Sequence, residues 1–194
     1  MSEKVLSGSK IKTRQITVIG MLFAITIVLG ATGLGFIPIG PLKLTIMHIP
    51  IIIASILEGP IVGAINGLLF GIFSMIQAIN TPTPVSFIFL NPIVAVLPRI
   101  LIGVTPYYTY KLMKTKLEKV NLGFSILVGS FTNTIGVMGL IYILYIDEYA
   151  KALHMSHSLA VKTIVGYILN GFVSGSAAVL ISMPIILAVR KIRK

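Results

Sequence analysis

The chain has 194 residues, of which 56% are hydrophobic and 11% are charged, and its mean hydropathy is +1.00. This composition excludes a soluble domain, because roughly a quarter of the residues of such a domain are charged. A helix that crosses a bilayer needs about 20 mostly apolar residues, so the length allows about six spans and leaves no room for a separate soluble domain. Cysteine is absent, which also excludes disulfides and zinc-thiolate sites.

Apolar segments separated by Gly, Pro, Asn or charged clusters follow one another along the chain. They predict an all-α membrane protein with six transmembrane helices in a single domain, residues 1–194. The first segment follows a basic stretch, as in a signal peptide, but it lacks a small-x-small cleavage pattern and is predicted to remain as the first helix. Glu58-Gly59-Pro60 joins the second and third segments in a tight hairpin, since proline suits the first turn of a helix. The predicted spans are residues 16–31, 44–57, 60–79, 91–110, 122–146 and 159–189.

The net charge of +11 comes from cations that flank these spans. In a soluble protein such an excess would suggest nucleic acid as a partner, but here twelve of the 16 Lys and Arg residues form three clusters at span ends. Because cytoplasmic loops are enriched in Lys and Arg, the clusters predict an even number of spans with both termini in the cytoplasm. They are Lys4, Lys10, Lys12 and Arg14; Lys111, Lys114, Lys116 and Lys119; and Arg190, Lys191, Arg193 and Lys194.

The acidic residues decide which functions are excluded. All of them are predicted in tails or loops rather than at mid-membrane depth: Glu3, Glu58, Glu118, Asp147 and Glu148. Ion-coupled transporters usually rely on intramembrane ionisable groups, and an enzyme with paired carboxylates would need them inside the bundle. The sequence also lacks the phosphate-binding G-x-x-x-x-G-K-[ST] loop. We therefore predict no catalytic residue, no cofactor and no ATP site of its own.

One strong charge falls inside a predicted span. Arg99 lies about 12 Å from the outer end of the fourth span, at 1.5 Å per residue. An arginine at that depth costs at least ~2.5 kcal/mol, and a ligand anion would supply the partner that no buried carboxylate provides. The alternative is that Arg99 bonds to helix carbonyls and stabilises the bundle. Asn133 and Asn170 are expected at a similar depth, where their amides either orient a polar ligand or join helices by hydrogen bonds.

Three further polar residues are predicted at the outer rim of the same pocket. His48 begins the second span, and Gln77 and Asn80 end the third span on the same side. All three are candidates for binding, although a lone histidine beside a proline is more often a hydrogen-bonded structural residue. His154 and His157 have a metal-like i, i+3 spacing, but they are expected in a solvated loop, so a metal site is a minor alternative.

Small residues form stripes on two of the predicted spans. Gly63, Gly67 and Gly71 repeat every four residues on the third span, which lets another backbone approach closely. Gly20 and Ala24 form a shorter stripe on the first span, which suits either packing or the docking of a partner. Spacing alone favours internal packing for both stripes.

Two regions of the chain resemble a known family. Leu44-Thr-Ile-Met-His-Ile-Pro50 leads to Gly59-Pro60-Ile-Val-Gly63, and Pro98-Arg99-Ile-Leu-Ile-Gly103 lies in the fourth span. Together with the six short-looped spans, they make the whole chain similar to the substrate-binding S components of energy-coupling factor (ECF) transporters. The resemblance implies a subunit of a prokaryotic cell membrane that binds a vitamin from outside and works with a transmembrane T subunit and two ATP-binding cassette ATPases. It also favours docking for Gly20 and Ala24, since the first helix of the family presents small residues to the T subunit.

Within that family the same segments look most similar to the pantothenate-type components. A carboxylate substrate would also give Arg99 its missing counter-charge, while pyridoxine, riboflavin and folate stay open as alternatives. The chain departs from the cobalt and nickel type, which needs a His after the initiator Met where this chain has Ser2, and it lacks the Trp of the thiamine type. An autonomous facilitator or pore, or a membrane enzyme or assembly factor acting on lipid, would be a different class of function that no motif supports.

Overall fold

The computed structural model describes residues 11–39, 42–113 and 115–193, with the backbone alone for residues 36–39 and 42–44. Ser2, Glu3, Lys4, Lys10, Lys114 and Lys194 therefore lie outside the described residues or side chains. The elements in chain order are α1 (Thr13–Ala31), β1 (Phe36–Ile39), β2 (Leu42–Thr45), α2 (Ile49–Glu58), α3 (Pro60–Asn80), a 3-10 turn (Ser86–Leu90), α4 (Pro92–Ala95), α5 (Leu97–Leu112), α6 (Glu118–Ala152) and α7 (His157–Ile192).

Within the described residues, five helical segments are long and apolar enough to cross a membrane. They are α1, α3, residues 92–112 (α4 with α5), α6 and α7. The sixth apolar helix, α2, has ten residues, which is about 15 Å of helix and about half of the hydrocarbon thickness. A multi-pass helical membrane protein, as predicted, is thus confirmed in this coarser form.

The predicted start of the second span is wrong, and the fourth span has an interruption that was not predicted. The second span was expected from residue 44, but Leu42–Thr45 pairs with Phe36–Ile39 as an antiparallel hairpin. The helix begins only at Ile49, with a proline in its first turn. The fourth span, residues 92–112, lies where it was predicted but is interrupted at Val96, between α4 and α5, because Pro98 has no N–H to donate to the carbonyl of Val94. The long helices α6 and α7 extend beyond their predicted ends, and α6 has a non-helical kink at Tyr145 (φ −140°, ψ 16°).

Both described ends of the chain lie at the same end of the bundle. Glu58, at the end of α2, has a side chain that is 1% exposed, and its carboxylate pairs with Arg14 (2.9 Å, Nη2 to Oε2) and with Arg193. Arg190, near the end of α7, donates to Glu118 at the start of α6 (2.8 Å) and to the hydroxyl of Tyr110 near the end of α5. We call this the basic end and the opposite one the hairpin end.

Helices α3 and α5 meet almost backbone to backbone. A methyl group added at Gly63 would overlap the carbonyl of Gly103, and one added at Gly67 would overlap the carbonyl of Arg99. A methyl group added at Gly71 would likewise overlap the backbone of Ala95 and Val96, the two residues before α5. The stripe of small residues on α3 therefore serves internal packing, as its spacing predicts.

Buried apolar side chains form two separate clusters. The main core joins α1, α2, α3 and α5 with the basic-end halves of α6 and α7, and includes Ile51, Ile52, Ile102, Leu122, Ile126 and Ile186. The outer cluster joins the 3-10 turn and α4 with the hairpin-end halves of α6 and α7, and includes Ile88, Val94, Val137, Ile141, Ala160 and Ile164. The space between the two clusters is where a cavity lies.

The tight contact between α3 and α5 makes one substitution informative. Gly67→Ala should lower the free energy of unfolding by about 1–3 kcal/mol, because the added methyl group overpacks a backbone contact. Gly139→Ala on α6 is the matched control, since a Cβ there has no neighbour within 4 Å and alanine favours the helix. Thermal unfolding in detergent compares the two variants, and equal melting temperatures would contradict the packing described here.

Candidate binding cavity

A cavity of about 450 Å³ lies between the main core and the outer cluster. Its walls come from α3, α5, α6 and α7, while residues 45–48 and the loop with the 3-10 turn also line it. Five of the six predicted binding residues line this one cavity: Arg99, Asn133, Asn170, His48 and Gln77. The structure thus brings together residues from α3, α5, α6, α7 and the turn before α2.

Arg99 is buried (7% exposed), and the ion pairs of the described residues do not include it. Its Nη1 donates to the carbonyl of Val94 (2.7 Å). The guanidinium carbon lies 5.6 Å from the ring centre of Phe70 and 5.4 Å from that of Phe89, distances at which an aromatic face attracts a cation. Nε is buried without a hydrogen-bond partner in the described structure. The edge formed by Nε and Nη2 therefore keeps its donors available, in a geometry that matches both oxygens of a carboxylate.

His48 and Asn133, which both line the cavity, each have one buried polar atom without a described hydrogen-bond partner. His48 is 1% exposed, and its Nε2 lies 3.0 Å from Oγ of Ser130. Its Nδ1 has no hydrogen-bond partner among the described residues, and the same holds for Oδ1 of Asn133. Buried polar atoms in folded proteins are nearly always bonded, so these two atoms are suited to a ligand.

The other predicted residues take different places. Gln77 lines the cavity, but its Nε2 also donates to the carbonyl of Gly30 (3.0 Å), which joins α3 to the end of α1. Asn170 lines the cavity next to Gly171, which packs against Thr134 of α6 (3.3 Å from a Cβ at that glycine). Asn80, the last residue of α3, is exposed and is not part of the lining.

Several lining residues were not predicted. They are the aromatic residues Phe70 and Phe89 and the hydroxyl residues Ser74, Thr134, Tyr167 and Ser174. Serine and threonine in membrane helices usually bond to their own backbone, so their presence alone gives no signal. Helical spacing would have found two of them, since Ser74 precedes Gln77 by three residues and Ser174 follows Asn170 by four.

The stripe on α1 faces away from the rest of the described structure. Gly20 and Ala24 are both exposed, and a Cβ at Gly20 would have no neighbour within 4 Å. Internal packing, which spacing favours, is therefore wrong for Gly20. The face is open to lipid or to another protein.

The histidines near the hairpin end have simpler surroundings. Nδ1 of His157 lies 2.9 Å from Oδ1 of Asp147, and both side chains are exposed. His157 is the first residue of α7 rather than part of a loop. Among residues 11–39, 42–113 and 115–193, no group of three or more His, Asp or Glu residues could hold a metal ion.

Comparison with known proteins adds a family to this geometry. The family described as ECF transporter, substrate-specific component, matches residues 14–186. The pantothenic acid transporter PanT of Lactococcus lactis subsp. cremoris is 32% identical over 167 residues, which cover 79% of this chain and 81% of that protein. The pantothenate transporter PanT of Leuconostoc mesenteroides subsp. mesenteroides is 33% identical over 142 residues, which cover 69% of each chain.

Proposed function

The chain belongs to the family of substrate-specific components of ECF transporters, and we propose that the substrate it captures is pantothenate. Membership makes it a membrane-embedded vitamin uptake subunit. The two relatives named for pantothenate support the choice of vitamin. The observation that carries the proposal is Arg99, a buried guanidinium that lines the cavity with one edge free of described partners.

The chemistry of pantothenate suits the lining of the cavity. Its carboxylate would bond to the free edge of Arg99, and a charge-assisted pair of this kind is among the stronger hydrogen bonds. Its amide and hydroxyl groups would bond to the side chains of Asn133 and Asn170, and its branched apolar part, next to the terminal hydroxyl, would pack against Met47, which also lines the cavity. The volume of about 450 Å³ falls in the range of roughly 300–1,000 Å³ that is usual for small-molecule sites.

The direct test is a titration of the purified chain in detergent with pantothenate, pyridoxine, riboflavin and folate. We expect calorimetry to give a dissociation constant below about 1 µM for pantothenate, equivalent to more than about 8 kcal/mol, and far weaker binding of the other three. Tight binding of another vitamin would replace pantothenate as the substrate. No binding tighter than micromolar to any of them would contradict a vitamin-binding role.

A thermodynamic cycle isolates the contact between Arg99 and the carboxylate. Arg99→Ala should weaken pantothenate binding roughly 10- to 100-fold, since hydrogen bonds to charged groups contribute about 1.5–3 kcal/mol. Pantothenol, in which an alcohol replaces the carboxylate, should bind the unmodified chain weakly, and its affinity should fall little further in Arg99→Ala. Calorimetry with both ligands on both proteins measures the coupling.

The control for this cycle is Lys162→Ala, which removes an exposed cation of α7 outside the cavity lining. Its affinity for both ligands should match that of the unmodified chain. If Arg99→Ala weakens pantothenate and pantothenol by the same factor, Arg99 supports the fold of the cavity and does not bind the carboxylate.

We further propose that the basic end faces the cytoplasm and that a T subunit and two ATPases complete the transporter. Cytoplasmic segments are enriched in Lys and Arg, and the contacts of Glu58 and Arg190 bring the described members of the three basic clusters to one end. Between the cavity and the basic end, the main core begins within one helical turn of the cavity. Ile126 lies one turn from Ser130, and Ile52 packs at Gly129. This apolar packing favours a binding subunit over a facilitator or pore.

Docking on α1 gives a separate prediction. Gly20→Leu should reduce co-purification with the T subunit and the ATPases, because a large side chain would hold a partner away from the stripe of Gly20 and Ala24. Pantothenate binding by the isolated variant should stay unchanged, since Gly20 is remote from the cavity lining.

Gly166→Leu is the matched control for docking, because Gly166 is an exposed glycine of α7 with no neighbour within 4 Å of a Cβ. It should co-purify with the partners as the unmodified chain does. Undiminished assembly of Gly20→Leu would remove this face of α1 from the interface.

A further inference from the structure

The polar groups of the cavity lie at two depths. The distance between these depths can be measured along α6, because this helix meets residues at both. Ser130 of α6 meets Nε2 of His48 (3.0 Å). Six residues further along, a Cβ at Gly136 would lie 2.9 Å from Cβ of Pro98, the residue before Arg99. Since α6 runs from the basic end toward the hairpin end, these two levels are about 9 Å apart. His48 therefore lies deep in the cavity and Arg99 lies toward its hairpin end.

The guanidinium itself extends further toward the hairpin end. It donates to the carbonyl of Val94 in α4 and lies over the ring of Phe89 in the 3-10 turn. Both residues precede α5 and belong to the segment that packs in or against the outer cluster. The positive charge is thus concentrated at the hairpin end of the cavity, and Arg99 is the only Lys or Arg among the described lining residues.

The deep end of the cavity, at His48, suits a ligand group other than a carboxylate. Asn133 lies three residues from Ser130 and three from Gly136 on α6, midway between the two levels, and its side chain leans toward the N-terminus of α6 and thus toward the basic end. Its unpartnered Oδ1 needs a hydrogen-bond donor. The unpartnered Nδ1 of His48 needs an acceptor in one tautomer and a donor in the other. A hydroxyl group supplies both, whereas an anion would be repelled by the amide oxygen of Asn133.

We infer that the cavity holds pantothenate in one direction, with the carboxylate at Arg99 toward the hairpin end and the terminal hydroxyl at His48 and Asn133 toward the basic end. The inference rests on the proposed function, because it assigns the two ends of that substrate. It follows that the deep end rejects substituents on the terminal hydroxyl. A phosphate ester there would meet the apolar packing of Ile52 and Ile126 and would bring charge to a place that lacks a described cation.

The test crosses ligands with variants. Pantothenate, pantothenol and an analogue with hydrogen in place of the terminal hydroxyl are titrated into the unmodified chain, Asn133→Leu and Arg99→Ala. Asn133→Leu should weaken pantothenate and pantothenol equally, by about tenfold, and should weaken the deoxy analogue much less, because that analogue lacks the group that Asn133 binds. Arg99→Ala should weaken pantothenate and the deoxy analogue equally, and should weaken pantothenol much less. The phosphate ester of the terminal hydroxyl should not bind the unmodified chain.

Two further variants keep this test decisive. His48→Phe should show the same pattern of affinities as Asn133→Leu. If His48→Phe does not fold, the titrations of Asn133→Leu alone decide the test. Asn80→Leu removes an exposed amide outside the cavity lining and should leave all three affinities unchanged. Melting curves confirm that each variant is folded before titration.

The outcomes separate the inference from the proposed function. If the loss in Asn133→Leu disappears with pantothenol instead of the deoxy analogue, the substrate lies in the opposite direction, and the inference fails while pantothenate remains the substrate. An equal loss on all three ligands overturns the inference as well, because Asn133 then acts through the fold. Failure of the unmodified chain to bind pantothenate overturns both.

Discussion

The backbone contact between α3 and α5 is the constraint on which the rest of the structure depends. Gly63 and Gly67 carry no side chain, so the carbonyls of Gly103 and Arg99 approach α3 directly. This places Arg99 inside the bundle, where an arginine costs at least ~2.5 kcal/mol on insertion scales. The carbonyl of Val94 and the faces of two phenylalanines offset part of that cost. The fold thus holds a charge that its described residues do not neutralise.

The break in the fourth span explains where the first partner of Arg99 comes from. In a continuous helix the carbonyl of Val94 would accept from the N–H four residues later, but that residue is Pro98, which has none. The orphaned carbonyl is taken instead by the guanidinium of the next residue, Arg99. Proline and arginine therefore act together: the proline frees an acceptor, and the arginine uses one of its nitrogens there and keeps its Nε–Nη2 edge for the cavity.

The sequence predicted how deep a residue lies in the bundle better than it predicted which residues face the cavity. Counting residues from span ends put Arg99, Asn133 and Asn170 at one level, and all three line the cavity. The same counting treated Gln77 and Asn80 alike, yet Gln77 lines the cavity and Asn80, the last residue of α3, is exposed. Residues three apart share a face of a helix, so helical spacing does not separate these two, and only the packing around the end of α3 does. The second strand of the β-hairpin, Leu42–Thr45, does alternate apolar and polar residues as a strand does, but it is only four residues long and directly precedes an apolar run, so its last two residues were predicted as part of the second span. The buried pairing of Glu58 with two arginines joins residues far apart in the sequence, which no local pattern predicts.

The absence of a described carboxylate near Arg99 links the site to the energy requirement of transport. In an ion-coupled carrier, a titratable group inside the protein can replace the substrate as a counter-charge when the substrate leaves. Here the described cavity lining offers no Asp or Glu carboxylate for that role, so release of an anionic substrate returns the guanidinium to an unpaired state inside an apolar bundle. The contacts that favour capture therefore oppose release by the same free energy. In the proposed function that free energy has to come from outside the chain, which is the physical reason to expect a partner that hydrolyses ATP.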